Sequence, residues 1–381
     1  MTHWSLECSS CGSTARGDVL AQLCTRCSQP YLVRYAQLPD GPDSLLDRWD
    51  MWRYAAWMPL MPDESPVTLG EGATPLLLAE GLAKELGVRR LWIKEEGLNP
   101  TGSFKARGMS AAVTRAKAHR VPGLVVPTAG NAGAALAAYG SAAGLPVRVY
   151  APDDTPAPIL ATIRAFGAQL VVVEGHIGDA GKRAREFAAS DGWFDASTLR
   201  EPYRIEGKKT MGLELVEQLG WRFPDAIIYP TGGGTGLIGM WKVFQELIAA
   251  GWIDDGVTPP RMITAQAAGC APIVQAFAAG ESRAAPWPNP QTRAAGLRVP
   301  SPLGDRLILR GLRESGGDAE AVDEAAIREG TLELTALTGV DASPEGGCAL
   351  AVCRRLLAAG RLAKDAEVVL FNTGSGASYR T

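Results

Sequence analysis

From about residue 70 onward the chain alternates between short apolar runs and longer alanine-rich segments with helical spacing. The runs at 91–94, 124–127, 147–150, 170–174, 226–229, 262–265 and 368–371 are continuous in their apolar character, as strands buried on both faces of a parallel sheet require. Between them, 110–119, 131–143, 158–165, 181–189 and 237–250 carry the spacing of helices. Strands alternating with helices predict an α/β fold with open, mostly parallel sheets. Ligands in such folds collect at the carboxyl ends of the strands, so the strand-to-helix junctions are the places to look for chemistry. The stretch 284–303, rich in Pro and Arg, predicts a long irregular connection.

Ahead of this body the pattern changes. Cys8-Ser-Ser-Cys11 and Cys24-Thr-Arg-Cys27 form two Cys-x-x-Cys knuckles with twelve residues between them. Such a pair can close a tetrahedral thiolate shell around a structural zinc, which stabilises a segment too small for its own core; two unliganded or redox pairs are the alternative. Four thiolates leave no open coordination position, so the expected role is structural. The segment 1–37 therefore reads as a zinc-ribbon-like unit. A turn-rich break at 38–43 follows, and then a stretch from 45 to 62 in which Trp49, Trp52 and Trp57 are expected to pack as core or interface residues rather than as a cofactor box. Cys270, Cys348 and Cys353 sit in small-residue or helix-like surroundings and read as buried hydrophobes.

A chain of 381 residues suffices for two or three domains with a sizeable core. Charged residues make up 21% and the formal net charge is −3, so no global attraction to nucleic acid or to an anionic membrane is expected, and acidic small molecules need local basic pockets. The first residues lack an apolar signal core and an Arg-rich amphipathic character, and no apolar run is long enough to span a bilayer, which points to a cytoplasmic protein.

Four junctions carry unusual residues. The run Gly97-Leu-Asn-Pro-Thr-Gly-Ser103-Phe-Lys105-Ala-Arg-Gly108 frames one lysine between a strand and a helix. An amine partly desolvated there beside other cations loses its proton and becomes nucleophilic, the requirement for Schiff-base chemistry. At the second junction Thr128-Ala-Gly-Asn131-Ala-Gly133 opens a helix whose free N–H groups attract carboxylate or phosphate; Asn131 is either a ligand donor there or a plain helix cap. At the third, Thr231-Gly232-Gly233-Gly234-Thr235-Gly236 places consecutive backbone amides in a concave nest suited to a phosphate dianion, at a cost in chain entropy that a mere turn does not justify. The fourth, Asn372-Thr373-Gly-Ser-Gly-Ala-Ser378, offers hydroxyl and amide groups that suit a heteroaromatic nitrogen, or simply a terminal turn.

Other chemistries fit less well. Gly234-x-Gly236-x-x-Gly239 matches the dinucleotide fingerprint formally, but the next strand region, Met262 to Gln266, ends without the acidic residue that a ribose requires. With only His3, His119 and His176 and no Gly-x-Ser-x-Gly elbow, a serine-hydrolase triad has no support, and no Walker lysine follows the glycine loop.

The residues from Gly70 onward resemble the pyridoxal-phosphate enzymes of the tryptophan-synthase-β fold type, most closely the threonine synthases. Gly70-Glu-Gly-Ala-Thr-Pro-Leu76 is similar to that family's Gly-Glu-Gly-x-Thr-Pro-Leu, and Asn99 to Gly108 to its Asn-Pro-Thr-Gly-Ser-Phe-Lys-Asp-Arg-Gly. Pro202-Tyr-Arg-Ile-Glu-Gly-Lys-Lys-Thr210 resembles Asn-Pro-x-Arg-x-Glu-Gly-Gln-Lys-Thr. The resemblance covers nearly the whole chain, and a zinc-ribbon-like extension is common among threonine synthases.

The resemblance implies two open, mostly parallel sheet domains, a large one from 38–105 and 195–381 and a small substrate-closing one from 106–194, in a homodimer. It makes Lys105 the lysine that binds pyridoxal 5'-phosphate covalently and the general acid/base, with Asn131 at the cofactor's 3′-oxygen. Gly232, Gly233, Gly234, Thr235 and Gly236 would hold its phosphate, and Thr373 its pyridine nitrogen. Ser103 and Thr128 would lie on the substrate side, and Arg204 would clamp a substrate phosphate. The implied reaction converts O-phospho-L-homoserine and water to L-threonine and phosphate.

Two departures bear on the substrate. Ala106 stands where threonine synthases usually carry Asp, and Thr198-Leu199-Arg200-Glu201 replaces a polar Asn-Ser-x-Asn that helps to bind the substrate phosphate. A carboxylate at Glu201 repels a phosphate unless Arg200 or Arg204 neutralises it. A serine/threonine dehydratase or a β-replacement enzyme, which needs no second phosphate site, is the alternative. A nicotinamide oxidoreductase and a zinc-ribbon interaction module with a degenerate catalytic body are the readings from other classes.

Overall fold

The computed structural model describes residues 3–128 and 130–380; Met1, Thr2, Ala129 and Thr381 lie outside the described residues. In chain order the strands and helices are β1 (Trp4–Cys8), β2 (Thr14–Arg16), β3 (Tyr31–Tyr35), β4 (Leu76–Leu78), α1 (Glu80–Leu86), β5 (Arg90–Glu95), α2 (Lys105–Ala118), β6 (Leu124–Pro127), α3 (Asn131–Ala143), β7 (Val147–Pro152), α4 (Ala157–Ala165), β8 (Gln169–Val173), α5 (Ile177–Asp191) and β9 (Phe194–Asp195). The second half adds α6 (Tyr203–Gln218), β10 (Ala226–Pro230), α7 (Thr235–Ala249), β11 (Arg261–Ala267), α8 (Pro272–Ala278), α9 (Asp305–Glu314), β12 (Asp318–Val322), α10 (Glu324–Thr338), α11 (Pro344–Ala358) and β13 (Glu367–Asn372).

These strands form a six-stranded sheet of order β12-β11-β10-β13-β5-β4, a four-stranded sheet of order β8-β7-β6-β9, and an antiparallel ribbon of order β2-β1-β3. Every pairing in the two larger sheets is parallel except the edge strand β4 against β5. The continuous apolar runs follow from this: each central strand feeds two cores. In β13, Val369 and Phe371 join the core shared with α6, α7 and α9, while Val368 and Leu370 join the opposite core under α1, α10 and α11. The four-stranded sheet has its own core with α2, α3 and α4.

All seven runs of the pattern are strands, and the five helical segments are helices whose ends differ by a few residues. The stretch 284–303 is irregular except for one short turn of helix. Trp52 and Trp57 are buried, and Leu32 of the ribbon shares a core with Tyr54 and Trp57. Trp49 departs from the expectation of packing: it is 89% exposed, in a bend preceding the short helix at Met51–Trp57 whose inner face Met51, Trp52, Tyr54 and Trp57 already fill.

Candidate active site

The lysine run leaves β5 through two tight turns. Asn99 donates to the Glu96 carboxylate and accepts from the Gly72 N–H, and Thr101 and Gly102 both take left-handed backbone conformations with φ +64° and +70°. The chain then bridges to the end of β13: the Phe104 N–H donates to the Thr373 carbonyl at 3.1 Å, and Ser103 pairs with Gly374. This stitch holds Lys105 at the first position of α2, beside the residue proposed for the pyridine nitrogen. Its ammonium lies 3.7 Å from the centroid of the Phe104 ring. The side chain keeps a partial opening to the cleft, yet protein encloses enough of it that desolvation, followed by the Arg204 guanidinium, lowers its pKa to about 7 against the opposing pull of Glu345.

Beneath the loop lies a buried ion cluster that the periodicity of the chain did not disclose. Arg107 pairs with Glu96 at 2.7 Å and with Glu214 of α6 at 3.0 Å, and Lys94 reaches Glu214 at 2.5 Å. Thr74 of the Gly70 to Leu76 motif donates its hydroxyl to Glu96 and its backbone N–H to Glu214. Burial alone raises a carboxylate, but Arg107 and Lys94 overcome it and hold Glu214 well below the usual carboxylate range. The cluster fixes α2 against α6 and so fixes the lysine.

The glycine loop lies at the carboxyl end of β10 and leads into α7. Gly234 has φ +75°, and a Cβ at Gly236 would sit 2.0 Å from the Tyr229 hydroxyl, so neither position admits a side chain. The turn therefore presents bare amides at a helix start, where anions are favoured. Across the cleft Asn131 opens α3, its amide nitrogen 3.4 Å from where a Cβ on Gly374 would lie. Thr128 lines the same space, but its hydroxyl is engaged with the Gly130 backbone.

These junctions enclose one cavity of about 570 Å³ whose wall includes Lys105, Thr128, Asn131, Arg204, Gly232, Gly233, Gly234, Thr235, Gly236 and Thr373. Ser103 is not brought to the wall; it is buried behind it with its hydroxyl unpartnered. Four arginines, Arg185, Arg200, Arg204 and Arg298, join Lys105 there, against a single carboxylate among the described residues, Glu345. Arg200 pairs with Asp195 at 3.1 Å and Arg298 with Asp154 at 3.0 Å. Arg185 has no such partner among the described residues, and the buried Nε of Arg204 has none either. Glu201 does not face an incoming phosphate, because its carboxylate accepts from the Tyr203 and Arg204 N–H groups at the start of α6.

Arg185, Arg298, Glu345 and Tyr379 escaped the sequence reading. Glu345 carried a signal: Ser343-Pro344-Glu345 is a cap, a first-position proline and a first-turn acid, and it starts α11. Its Oε1 accepts from Tyr379 at 2.6 Å and from the Gly296 N–H at 2.8 Å.

Residues 67–374 match the sequence profile of the family described as "Pyridoxal-phosphate dependent enzyme". The chain belongs to that family. It is 33% identical to threonine synthase from Methanosarcina acetivorans over 97% of this chain and 91% of that one. It is 34% identical to threonine synthase from Methanocaldococcus jannaschii over 97% and 92%. Among solved structures, the T.th. threonine deaminase superposes with a TM-score of 0.67 at 29% identity, covering 79% of this chain and 92% of that one.

The residues of the cavity fit the family's cofactor. A phosphate suits the bare amides of the glycine loop, and the excess of cations suits its charge. The Tyr229 hydroxyl is buried without a partner behind the loop. Lys105 is the amine in reach of the space between the glycine loop and Thr373.

Away from this site, Cys8, Cys11, Cys24 and Cys27 are free thiols whose sulfurs all lie within 4.8 Å of one another. Sulfurs about 2.3 Å from a tetrahedral zinc stand about 3.8 Å apart, so the cluster has the size of a structural zinc shell.

Proposed function

We propose that the chain converts O-phospho-L-homoserine and water to L-threonine and phosphate, the reaction of a threonine synthase. The observation that carries this is the arginine set around Lys105, two of whose members lack a full complement of partners. The glycine loop accounts for one phosphate, and Arg204 and Arg185 have the charge and position for another.

When bound, the cofactor's pyridine ring supplies the electron sink for charge left at the substrate's α-carbon. Lys105 Nζ, with a pKa of about 7, is matched to carry protons to and from the substrate's Cα, Cβ and Cγ. Arg204 and Arg185 orient the substrate by its phosphate and take up the charge of the leaving group as the Cγ–O bond breaks. Asn131 and Thr373 on the cavity wall would hold the cofactor's ring, and water adds at the substrate's Cβ. The ribbon thiols hold a structural zinc, and the protein works in the cytoplasm as a homodimer, with residues 106–194 closing on the substrate. Among the described residues no helix is long and apolar enough to cross a membrane.

A second reading, a serine/threonine dehydratase, is favoured by one feature. The Thr198 methyl approaches the glycine loop, 2.9 Å from where a Cβ on Gly233 would lie, and Leu199 is buried against Gly304, so this segment offers little polar surface to a phosphate. Supplying the purified protein with O-phospho-L-homoserine and measuring threonine against released phosphate decides between the two. Equal amounts of both are expected. Turnover of serine to pyruvate with no release of phosphate would overturn the first reading in favour of the second.

A further inference from the structure

Four lysines are buried among the described residues, and three of them are paired: Lys94 with Glu214, Lys209 with Glu206 and Glu246, and Lys242 with the same two glutamates. Lys208 is the exception. Its side chain is 0% exposed, and no carboxylate among the described residues lies within ion-pair distance of it. Its ammonium donates to Thr235 Oγ1 at 3.0 Å and lies 4.8 Å from the Phe104 ring centroid, on the same ring that Lys105 approaches. The nearest charges are mostly of its own sign, Arg204 and Lys105 against Glu201, and burial followed by these two cations pushes Lys208 well below the ordinary lysine value. The space is reserved for it: a Cβ at Gly108 would stand 3.1 Å from both Cε and Nζ.

A buried cation without an anion is costly, and chains retain one where a ligand supplies the anion. Thr235 is the link. It is the first residue of α7 and lines the cavity, whereas Lys208 does not. Charged, as a neighbouring anion would hold it, the amine can only donate, so Thr235 Oγ1 accepts from it, and the hydroxyl proton is left to point elsewhere. The space ahead of it is the glycine nest.

We propose that Lys208 is a positioning residue for the phosphate of the family's cofactor: held behind the glycine loop, it directs the Thr235 hydroxyl proton into the cavity and supplies countercharge for a phosphate dianion. The inference rests on the family assignment and not on which amino acid is the substrate.

The test uses the full chain, stripped of cofactor and titrated separately with pyridoxal 5'-phosphate and with pyridoxal, which lacks the phosphate. Wild type, Lys208→Met and Lys208→Gln are compared by absorbance and tryptophan fluorescence. Lys208→Met is expected to weaken pyridoxal 5'-phosphate binding about tenfold or more and to leave pyridoxal binding unchanged. Lys208→Gln, which keeps a donor for Thr235 but no charge, is expected to fall between. In the loaded proteins, phosphorus NMR is expected to show a dianion throughout pH 6 to 8 in wild type and a titrating phosphate in Lys208→Met. An unchanged preference for the phosphorylated form, or an equal loss for both ligands, overturns the proposal; if Lys208→Met does not fold, Lys208→Gln carries the same comparison. Failure of wild type to bind either ligand would instead refute the cofactor assignment, a separate outcome.

Discussion

The role proposed for Lys105, nucleophile and proton carrier near neutral pH, requires an amine withheld from water, and burial followed by the charge of Arg204 lowers its pKa accordingly. That arrangement costs native stability, and the sign of the cost is testable. The amine's folded pKa is about 7 against an ordinary 10.5, so between these values the unfolded chain binds more protons than the native one. The contribution is neutral above 10.5 and grows unfavourable as pH falls toward 7. Lys105→Ala is therefore expected to lower turnover roughly a hundred- to ten-thousandfold while making the cofactor-free protein relatively more stable at pH 6 than at pH 10. Denaturant unfolding at the two pH values checks it; an equal difference at both would show that the amine is not desolvated in solution. Arg185 gives a cleaner residue-scale test of the phosphate site because it is exposed and carries no structural bond. Arg185→Met is expected to remove one charged hydrogen bond of about 1.5–3 kcal/mol, lowering kcat/KM for the phosphorylated substrate roughly ten- to a hundredfold and leaving the melting temperature nearly unchanged.

Among the elements, the strands and the glycine loop were legible because their signals are local: a parallel strand buried on two faces is apolar throughout, and four glycines in five positions have few structural reasons. The helix α6 was not legible. Arg204, Glu206, Lys208, Lys209 and Glu214 are all buried on it, and in one dimension such charges read as a solvated face. Their partners come from far along the chain: Tyr35 and Glu246 for one end of the helix, Lys94 and Arg107 for the other. Helix α6 is also packed more closely than propensity suggests, since a Cβ at Gly207 would stand 2.1 Å from the Arg107 carbonyl oxygen on α2. Intrinsic propensity favours alanine over glycine in a helix interior by about 1 kcal/mol. The contact predicts the opposite sign. Gly207→Ala is expected to destabilise by about 1–3 kcal/mol and to impair cofactor retention, because the displaced backbone is that of the lysine helix. A melting curve that rises on this substitution would show that the two helices separate without cost.

At the scale of the whole molecule, α6 buries the charges at one of its ends under the ribbon. The Tyr35 hydroxyl donates to Glu206 at 2.6 Å, within the cluster formed by Lys209, Lys242 and Glu246. The Arg115 guanidinium lies 5.0 Å from the Trp4 ring centroid and 5.8 Å from that of Tyr203. The ribbon also reaches the four-stranded sheet and a helix of the larger core: Gln22 donates to the Asp195 carbonyl on β9, and Arg306 on α9 donates to the Ser10 hydroxyl. A unit this small has little core of its own, so its grip depends on whatever gathers the four thiols. Cys8→Ser is therefore expected to release about one equivalent of zinc, read by metal analysis. It should also lower the melting temperature by roughly 5–10 °C, corresponding to about 2–3 kcal/mol in a domain of this size. The loss should propagate through α6, which carries Arg204, so KM for the phosphorylated substrate rises more than kcat falls. A variant that loses zinc yet keeps its melting temperature and KM would show that aromatic and ionic contacts hold the ribbon in place without the metal.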